Sequence, residues 1–233
     1  MKTKEKESLL LKNCFYVWPG PDDLPLKRTD ILVHGNRIKR IGKKLEAMPG
    51  TRLIDCSDHV VLPGLVNTHH HFHQTLTRNI PAVQNAKLFD WLVHLYDIWK
   101  YIDEEAIFYS SLLAMGELLK TGCTLSTDHH YLYPKGIECD IMATQFKAAE
   151  TLGLRFSPTR GSMSLSKKDG GLPPDSVVQE EEEILMDCER VIQKFHDDNE
   201  LSMKKIVLAP CSPFSVTKEL MKETAALARK NKV

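Results

Sequence analysis

Four histidines fall within five positions, at His69, His70, His71 and His73, directly after an apolar run over residues 60–66 that is interrupted by Pro63-Gly64. Imidazole nitrogen is a good ligand for a divalent metal ion, and side chains of an extended strand alternate faces. Two histidines spaced by two at the end of a buried strand can therefore grip one ion together. His69/His71 and His71/His73 both satisfy that alternation, whereas His70 faces the other way and is expected to pack or hydrogen-bond behind the strand. A histidine tract with no metal role is the plainer alternative. Against it, six of the ten histidines lie elsewhere, and these four crown an apolar segment. A Lewis-acidic metal at such a pair lowers the pKa of bound water from about 15.7 to about 7, which suits hydrolysis at neutral pH.

The elements that must position this cluster follow from periodicity and turn chemistry. Residues 8–60 read as a small β layer. Residues 9–11 and 14–17 are strand-like, 19–23 is turn chemistry, and 30–33 leads through His34-Gly35-Asn36-Arg37 into a hairpin resumed at Ile38 and Ile41. A short strand is expected over 51–55, and residues 75–101 read as irregular. Alternating units follow. Asp103 caps a helix that ends at Gly122, a strand over 123–127 stops at Asp128-His129-His130, and a helix over 140–152 ends at Gly153. A strand over 154–159 stops at Arg160. Ser176 and Gln179 have capping-box spacing at the start of a long helix with the stripe Ile184, Cys188, Val191 and Phe195. The glutamates at 180–183 suit a solvated first turn. A strand over 205–209 and a helix capped by Thr217 complete the pattern.

Strands alternating with helices indicate parallel α/β structure. Four strand–helix units follow residue 59, whereas a closed (β/α)8 barrel needs eight and about 250 residues. The expectation is thus the first half of a (β/α)8 barrel over 60–233, preceded by a small sheet layer over 1–59. The chain would be an N-terminal fragment, or would need a second chain to close its sheet.

The totals agree with an ordinary globular chain: 233 residues, 42% hydrophobic, with 31 basic residues against 31 acidic ones. That balance offers no basic excess to draw nucleic acid or an anionic membrane. Six scattered cysteines without a C-x-x-C pair fit reduced thiols, and the first thirteen residues hold an apolar run too short for a leader or a membrane span. The expected compartment is cytoplasmic.

The stretch Pro63-Gly64-Leu65-Val66-Asn67-Thr68-His69-His70-His71 resembles the first barrel strand of the amidohydrolase superfamily, with its H-x-H signature at His69 and His71. The likeness is to the s-triazine and nucleobase deaminase branch, and within it to 8-oxoguanine deaminases and hydroxyatrazine ethylaminohydrolase-like enzymes. It extends through Phe72-His73-Gln74-Thr75-Leu76-Thr77-Arg78, Ser126-Thr127-Asp128-His129-His130-Tyr131, Arg160-Gly161-Ser162-Met163, Gly170-Gly171-Leu172-Pro173-Pro174 and Ala209-Pro210-Cys211-Ser212-Pro213. The resemblance implies the N-terminal half of a distorted TIM (β/α)8 barrel over 60–233, preceded by part of a small β-sandwich over 1–59, and one catalytic divalent metal, usually zinc with iron as the alternative, held by the H-x-H pair. Further ligands and a proton-shuttling glutamate would lie on strands beyond Val233, so no catalytic acid–base residue is expected within this chain.

It also implies a hydrolytic deaminase removing the exocyclic amine of an aromatic heterocycle. 8-Oxoguanine is the first choice and hydroxylated s-triazines the second; a non-catalytic metal-binding remnant or subunit is the reading from another class. The implied partners are the heterocycle and water, with a homo-oligomer compatible. Three residues become substrate-contact candidates. Gln74, just past the strand, carries an amide that can donate to and accept from a heterocycle edge, or can serve as a loop residue. His130 stands at the end of the second strand, where Asp128, His129 or His130 is expected to touch substrate, order a metal ligand or cap a loop. Arg160 ends the third strand and can pair with a substrate carbonyl or with a loop carboxylate. Trp91 and Trp99 suit either a ring pocket or the core. No lysine stands at Pro210-Cys211-Ser212, where a carbamylated lysine would bridge two metals, so a single ion is expected.

Overall fold

The computed structural model describes residues 7–233. The reading of the N-terminus as leaderless falls partly on residues 1–6, which lie outside the described residues. No helix among the described residues is long and apolar enough to cross a membrane. The chain forms two compact units, Met1–Gly64 and Leu65–Val233.

In the first unit, β1 (Ser8–Val17) pairs antiparallel with β2 (Leu26–His34), which pairs antiparallel with β3 (Arg37–Gly42). The β2–β3 turn is Gly35-Asn36, as its sequence requires, with Gly35 at φ +58°. The two strand-like pieces at 9–11 and 14–17 are one strand, kinked where the register shifts between Leu11 and Cys14. Asn13 sits there at φ +58°, a conformation that asparagine tolerates, and its N–H donates to buried Asp30 at 2.7 Å. β4 (Arg52–Asp55) and β5 (Val60–Val61) both run parallel to β1. Val60 and Val61 thus belong to this sheet, and the first unit extends through Gly64 rather than stopping at residue 59. Its core is Cys14, Val17, Ile31 and Cys56.

The second unit holds a four-stranded sheet in the order β6 (Leu65–Asn67), β7 (Cys123–His130), β8 (Arg155–Ser162), β9 (Val207–Pro210), with every pair parallel. The crossovers are α2 (Glu104–Lys120), α3 (Ile141–Leu152) and α4 (Glu181–Phe195), and α5 (Lys218–Asn231) follows β9. This is a curled parallel sheet with the α/β alternation of half a (β/α)8 barrel. Asp103, Asp140 and Thr217 cap α2, α3 and α5 by accepting from Ala106, Ala143 and Leu220 N–H groups. Gly153 ends α3 at φ +70°. The core between sheet and helices includes Phe72, Met115, Phe146, Phe156 and Val191. Phe72 stacks on Phe156 with ring centroids 5.5 Å apart.

Four local expectations are corrected. The apolar run before the histidines is not a buried strand: β6 keeps only three residues, and Leu65 and Val66 are each 57% exposed, because β6 is an edge strand of this sheet. Residues 75–101 are not irregular, since they contain 3-10 turns at Phe72–Thr77 and Pro81–Val83 and then α1 (Leu88–Trp99). β7 and β8 extend past their expected ends through His130 and Ser162. The long helix does not start at Ser176. Asp175–Val177 is a 3-10 turn, Val177 and Val178 are drawn into the core, and α4 begins at Glu181.

Candidate metal centre

The histidine cluster lies just beyond the C-terminal end of β6, and the structure sorts its members. The His69 and His71 rings approach to 5.0 Å between centroids, nearly perpendicular at 89°. His71 Nδ1–H donates to the His129 carbonyl at 2.9 Å. A carbonyl only accepts, so the proton sits on Nδ1 and the Nε2 lone pair is left for another partner. Burial brings the His71 pKa down to about 4, which keeps the ring neutral, as a metal ligand must be.

His73 goes elsewhere. It lies in the 3-10 turn, is 1% exposed, and packs against Trp99 at 4.9 Å and His130 at 5.3 Å. Its centroid is 6.3 Å from that of His71. Of the two pairs that alternation allows, the geometry brings His69 and His71 together and turns His73 into the interior, with neither of its ring nitrogens hydrogen-bonded. His70 packs its ring on Phe72 at 4.9 Å, and its carbonyl accepts the His129 N–H at 2.8 Å.

The second strand divides its residues by alternation. The His129 ring lies 5.4 Å from that of His71, and its Nε2–H donates to the Ala209 carbonyl at 3.1 Å. His130, on the opposite face of β7, is 1% exposed and donates Nε2–H to the Leu132 carbonyl at 2.8 Å. Its ring packs beside those of His73 at 5.3 Å and Tyr133 at 5.6 Å. Burial lowers its pKa to about 4.

Arg160 is enclosed as well. It is fully buried, and its guanidinium lies 3.8 Å from the Tyr133 ring centroid. Its donors go to Asp187 on α4 at 2.8 Å, the Gly161 carbonyl and Gln179 at 2.9 Å, so its carboxylate partner stands on a helix rather than on a loop. Gln74 stays near the pair: half-buried, it donates Nε2–H to the Tyr131 hydroxyl at 3.3 Å, and the Tyr131 ring packs 5.4 Å from that of His71. Trp99 is core, 1% exposed, with Nε1–H donating to Thr77. The Cys211 thiol is pushed up by burial, and all six cysteines are free.

Sequence reasoning missed the backbone of β7 as the partner of the cluster. The signal was the parallel alignment of two polar strand ends, Thr68-His69-His70-His71 and Asp128-His129-His130. Among the described residues, no three His, Cys, Asp or Glu side chains are grouped to hold a metal. His69 and His71 fit such an ion as two imidazoles with one tautomer already fixed.

The buried histidines predict a pH dependence. His71, His73 and His130 all have pKa values lowered by burial from an ordinary 6.5. As pH falls from about 6.5 toward 4, the unfolded chain binds protons that the folded chain refuses, and stability is lost. Asp128 opposes this, because burial raises its carboxyl to about 7 and its contribution fades as pH rises through that value. Three groups outweigh one. Equilibrium urea unfolding should give a lower midpoint at pH 4.5 than at pH 7; a higher midpoint at pH 4.5 would show the histidines charged in the native state.

The sequence model described as the amidohydrolase family matches residues 60–233. The 8-oxoguanine deaminase of Pseudomonas aeruginosa is 50% identical over 187 residues, covering 80% of this chain and 41% of that protein. Hydroxydechloroatrazine ethylaminohydrolase of Pseudomonas sp. strain ADP is 35% identical over 215 residues, covering 88% of this chain and 45% of its own length. Among solved structures, the atrazine chlorohydrolase of Arthrobacter aurescens TC1 complexed with zinc superposes with a TM-score of 0.88 at 27% identity, over 97% of this chain and 51% of that one. The chain therefore spans less than half the length of these curated relatives.

Proposed function

Because the chain belongs to the amidohydrolase family, we propose that the whole protein is a metal-dependent hydrolytic deaminase acting on the exocyclic amine of an aromatic heterocycle, with 8-oxoguanine as substrate. The observation that carries this is the His69–His71 pair, 5.0 Å apart, with the His71 tautomer set by the His129 carbonyl. The 50% identity to an 8-oxoguanine deaminase supports the choice of heterocycle, and the 35% identity to a hydroxydechloroatrazine ethylaminohydrolase makes hydroxylated s-triazines the second candidates.

In this reading His69 and His71 hold one divalent ion, zinc or else iron. When bound, the ion supplies Lewis acidity at neutral pH. His129 keeps the His71 ring oriented and its Nδ1 protonated. Gln74, tied to Tyr131, presents an amide to the heterocycle edge. Arg160 and His130 stabilise the layer behind the sheet and do not touch substrate. We assign no catalytic acid or base to this chain. The first unit, through Gly64, is assigned to part of a β-sandwich and Leu65–Val233 to the first half of a barrel. A cytoplasmic protein, with the heterocycle and water as its partners and a homo-oligomer compatible, completes the proposal; no nucleic acid or membrane partner is included.

The test joins this chain to the C-terminal portion of the P. aeruginosa relative, loads zinc, and measures ammonia release. Release from 8-oxoguanine is expected. Turnover of a hydroxylated s-triazine alone would move the substrate to the second candidate. Stoichiometric zinc without release from either would make the chain a metal-binding, non-catalytic member.

A further inference from the structure

β6 ends at Asn67, so His69 and His71 stand beyond its last ladder bond, with His71 at φ −132°, ψ 89°, outside both strand and helix geometry. Something other than β6 must hold this turn. Two of its restraints come from the backbone of β7: the His129 N–H to the His70 carbonyl, and the His129 carbonyl to His71 Nδ1. A third comes from a side chain. Asp128 Oδ1 accepts the Phe72 N–H at 2.8 Å, on the residue directly after His71.

Asp128 is 0% exposed, an expensive place for a carboxyl group. Its Oδ2 receives Nε2–H from Gln145, itself 1% exposed and anchored on α3. Two donors therefore converge on two acceptor oxygens, a match that alanine or serine does not reproduce. The bond at Phe72 fixes the peptide between residues 71 and 72, and that peptide decides whether the His71 ring reaches the His129 carbonyl.

We propose that Asp128, held by Gln145, is a positioning residue for the metal pair: it locks the backbone after His71 so that the ring keeps its Nδ1–H tautomer and aims Nε2 beside His69. The proposal rests on the metal role given above to His69 and His71. It acts through backbone and tautomer, so it has a readout that needs no metal.

The test compares the wild-type chain with Asp128→Ala, Asp128→Asn and Gln145→Leu, using ring nitrogen chemical shifts of ¹⁵N-labelled histidine together with zinc titration. Wild type is expected to hold His71 as the Nδ1–H tautomer. Asp128→Ala is expected to give a tautomer mixture and to weaken zinc by about 10–100-fold, the usual effect of losing a group that orients a ligand. Asp128→Asn keeps an acceptor for Phe72, and Gln145 can turn its carbonyl toward the new amide, so most of the affinity should return. Gln145→Leu keeps α3 packed and should shift both readouts in the alanine direction, by less. If Asp128→Ala does not fold, Gln145→Leu and Asp128→Asn decide. An unchanged tautomer and unchanged zinc affinity in the folded variants would overturn the positioning role, leaving Asp128 as a structural carboxyl. Zinc binding in wild type that ignores His71→Ala would instead overturn the metal assignment, while the tautomer shifts would still judge the clasp.

Discussion

Replacing His71 by alanine is expected to lower the zinc affinity of the chain by more than about 100-fold, since loss of a mere orienting partner already costs about 10–100-fold. The reasoning is local. His71 is half-buried, neutral, fixed in one tautomer, and 5.0 Å from its partner ring. His69→Ala should act in the same direction. His70→Ala should leave zinc binding intact, because that ring packs on Phe72. His73→Ala should also spare the metal while destabilising the chain, because it opens a cavity beside Trp99. Competition against a chromophoric chelator separates these cases. If His73→Ala abolishes binding and His69→Ala does not, the ligand pair is His71/His73.

Asp187→Ala is expected to destabilise the chain by about 2–3 kcal/mol, below the range of about 3–5 kcal/mol for a fully buried ion pair because the Asp187 side chain is 22% exposed. Arg160 is 0% exposed and cannot lose its charge, so without Asp187 its guanidinium keeps only the Gly161 carbonyl, Gln179 and the Tyr133 face. Asp187 also binds Arg190 at 2.7 Å, and Arg190 reaches Asp140 at the start of α3, so the substitution loosens the α3–α4 side of the sheet as well. Urea unfolding measures the loss. A change under about 1 kcal/mol would mean that the guanidinium finds water or another partner, and would reopen Arg160 as a group available to ligands.

Much of the architecture was legible in the sequence because local chemistry and tertiary packing agree there. Asp103, Asp140 and Thr217 cap the helices they precede, Gly35 turns the hairpin, and Gly153 closes α3. Where tertiary packing overrode a local signal, the reading failed. Ser176 and Gln179 have capping-box spacing, yet Val177 and Val178 are worth more in the core, and Gln179 is taken by Arg160. α1 was overlooked although Leu88, Trp91, Leu92, Leu95, Tyr96 and Trp99 recur at helical spacing, because Lys87 gives no side-chain cap to announce it. The site was half legible. Spacing alone left His69/His71 and His71/His73 equal, since it assumed a continuing strand, whereas a 3-10 turn starting at Phe72 carries His73 inward. The surroundings of His130 and Arg160 were not legible, because β7 and β8 run longer than their sequences suggest and enclose both side chains.

X-ray absorption at the zinc edge of the zinc-loaded chain tests the central claim most directly. Two imidazole nitrogens are expected at about 2.0–2.1 Å, with water or buffer oxygen completing the shell. One imidazole should disappear in His69→Ala and one in His71→Ala. Zinc bound without imidazole scattering, or with a shell unchanged in both variants, would contradict the assignment of the pair as metal ligands and remove the foundation of the deaminase proposal.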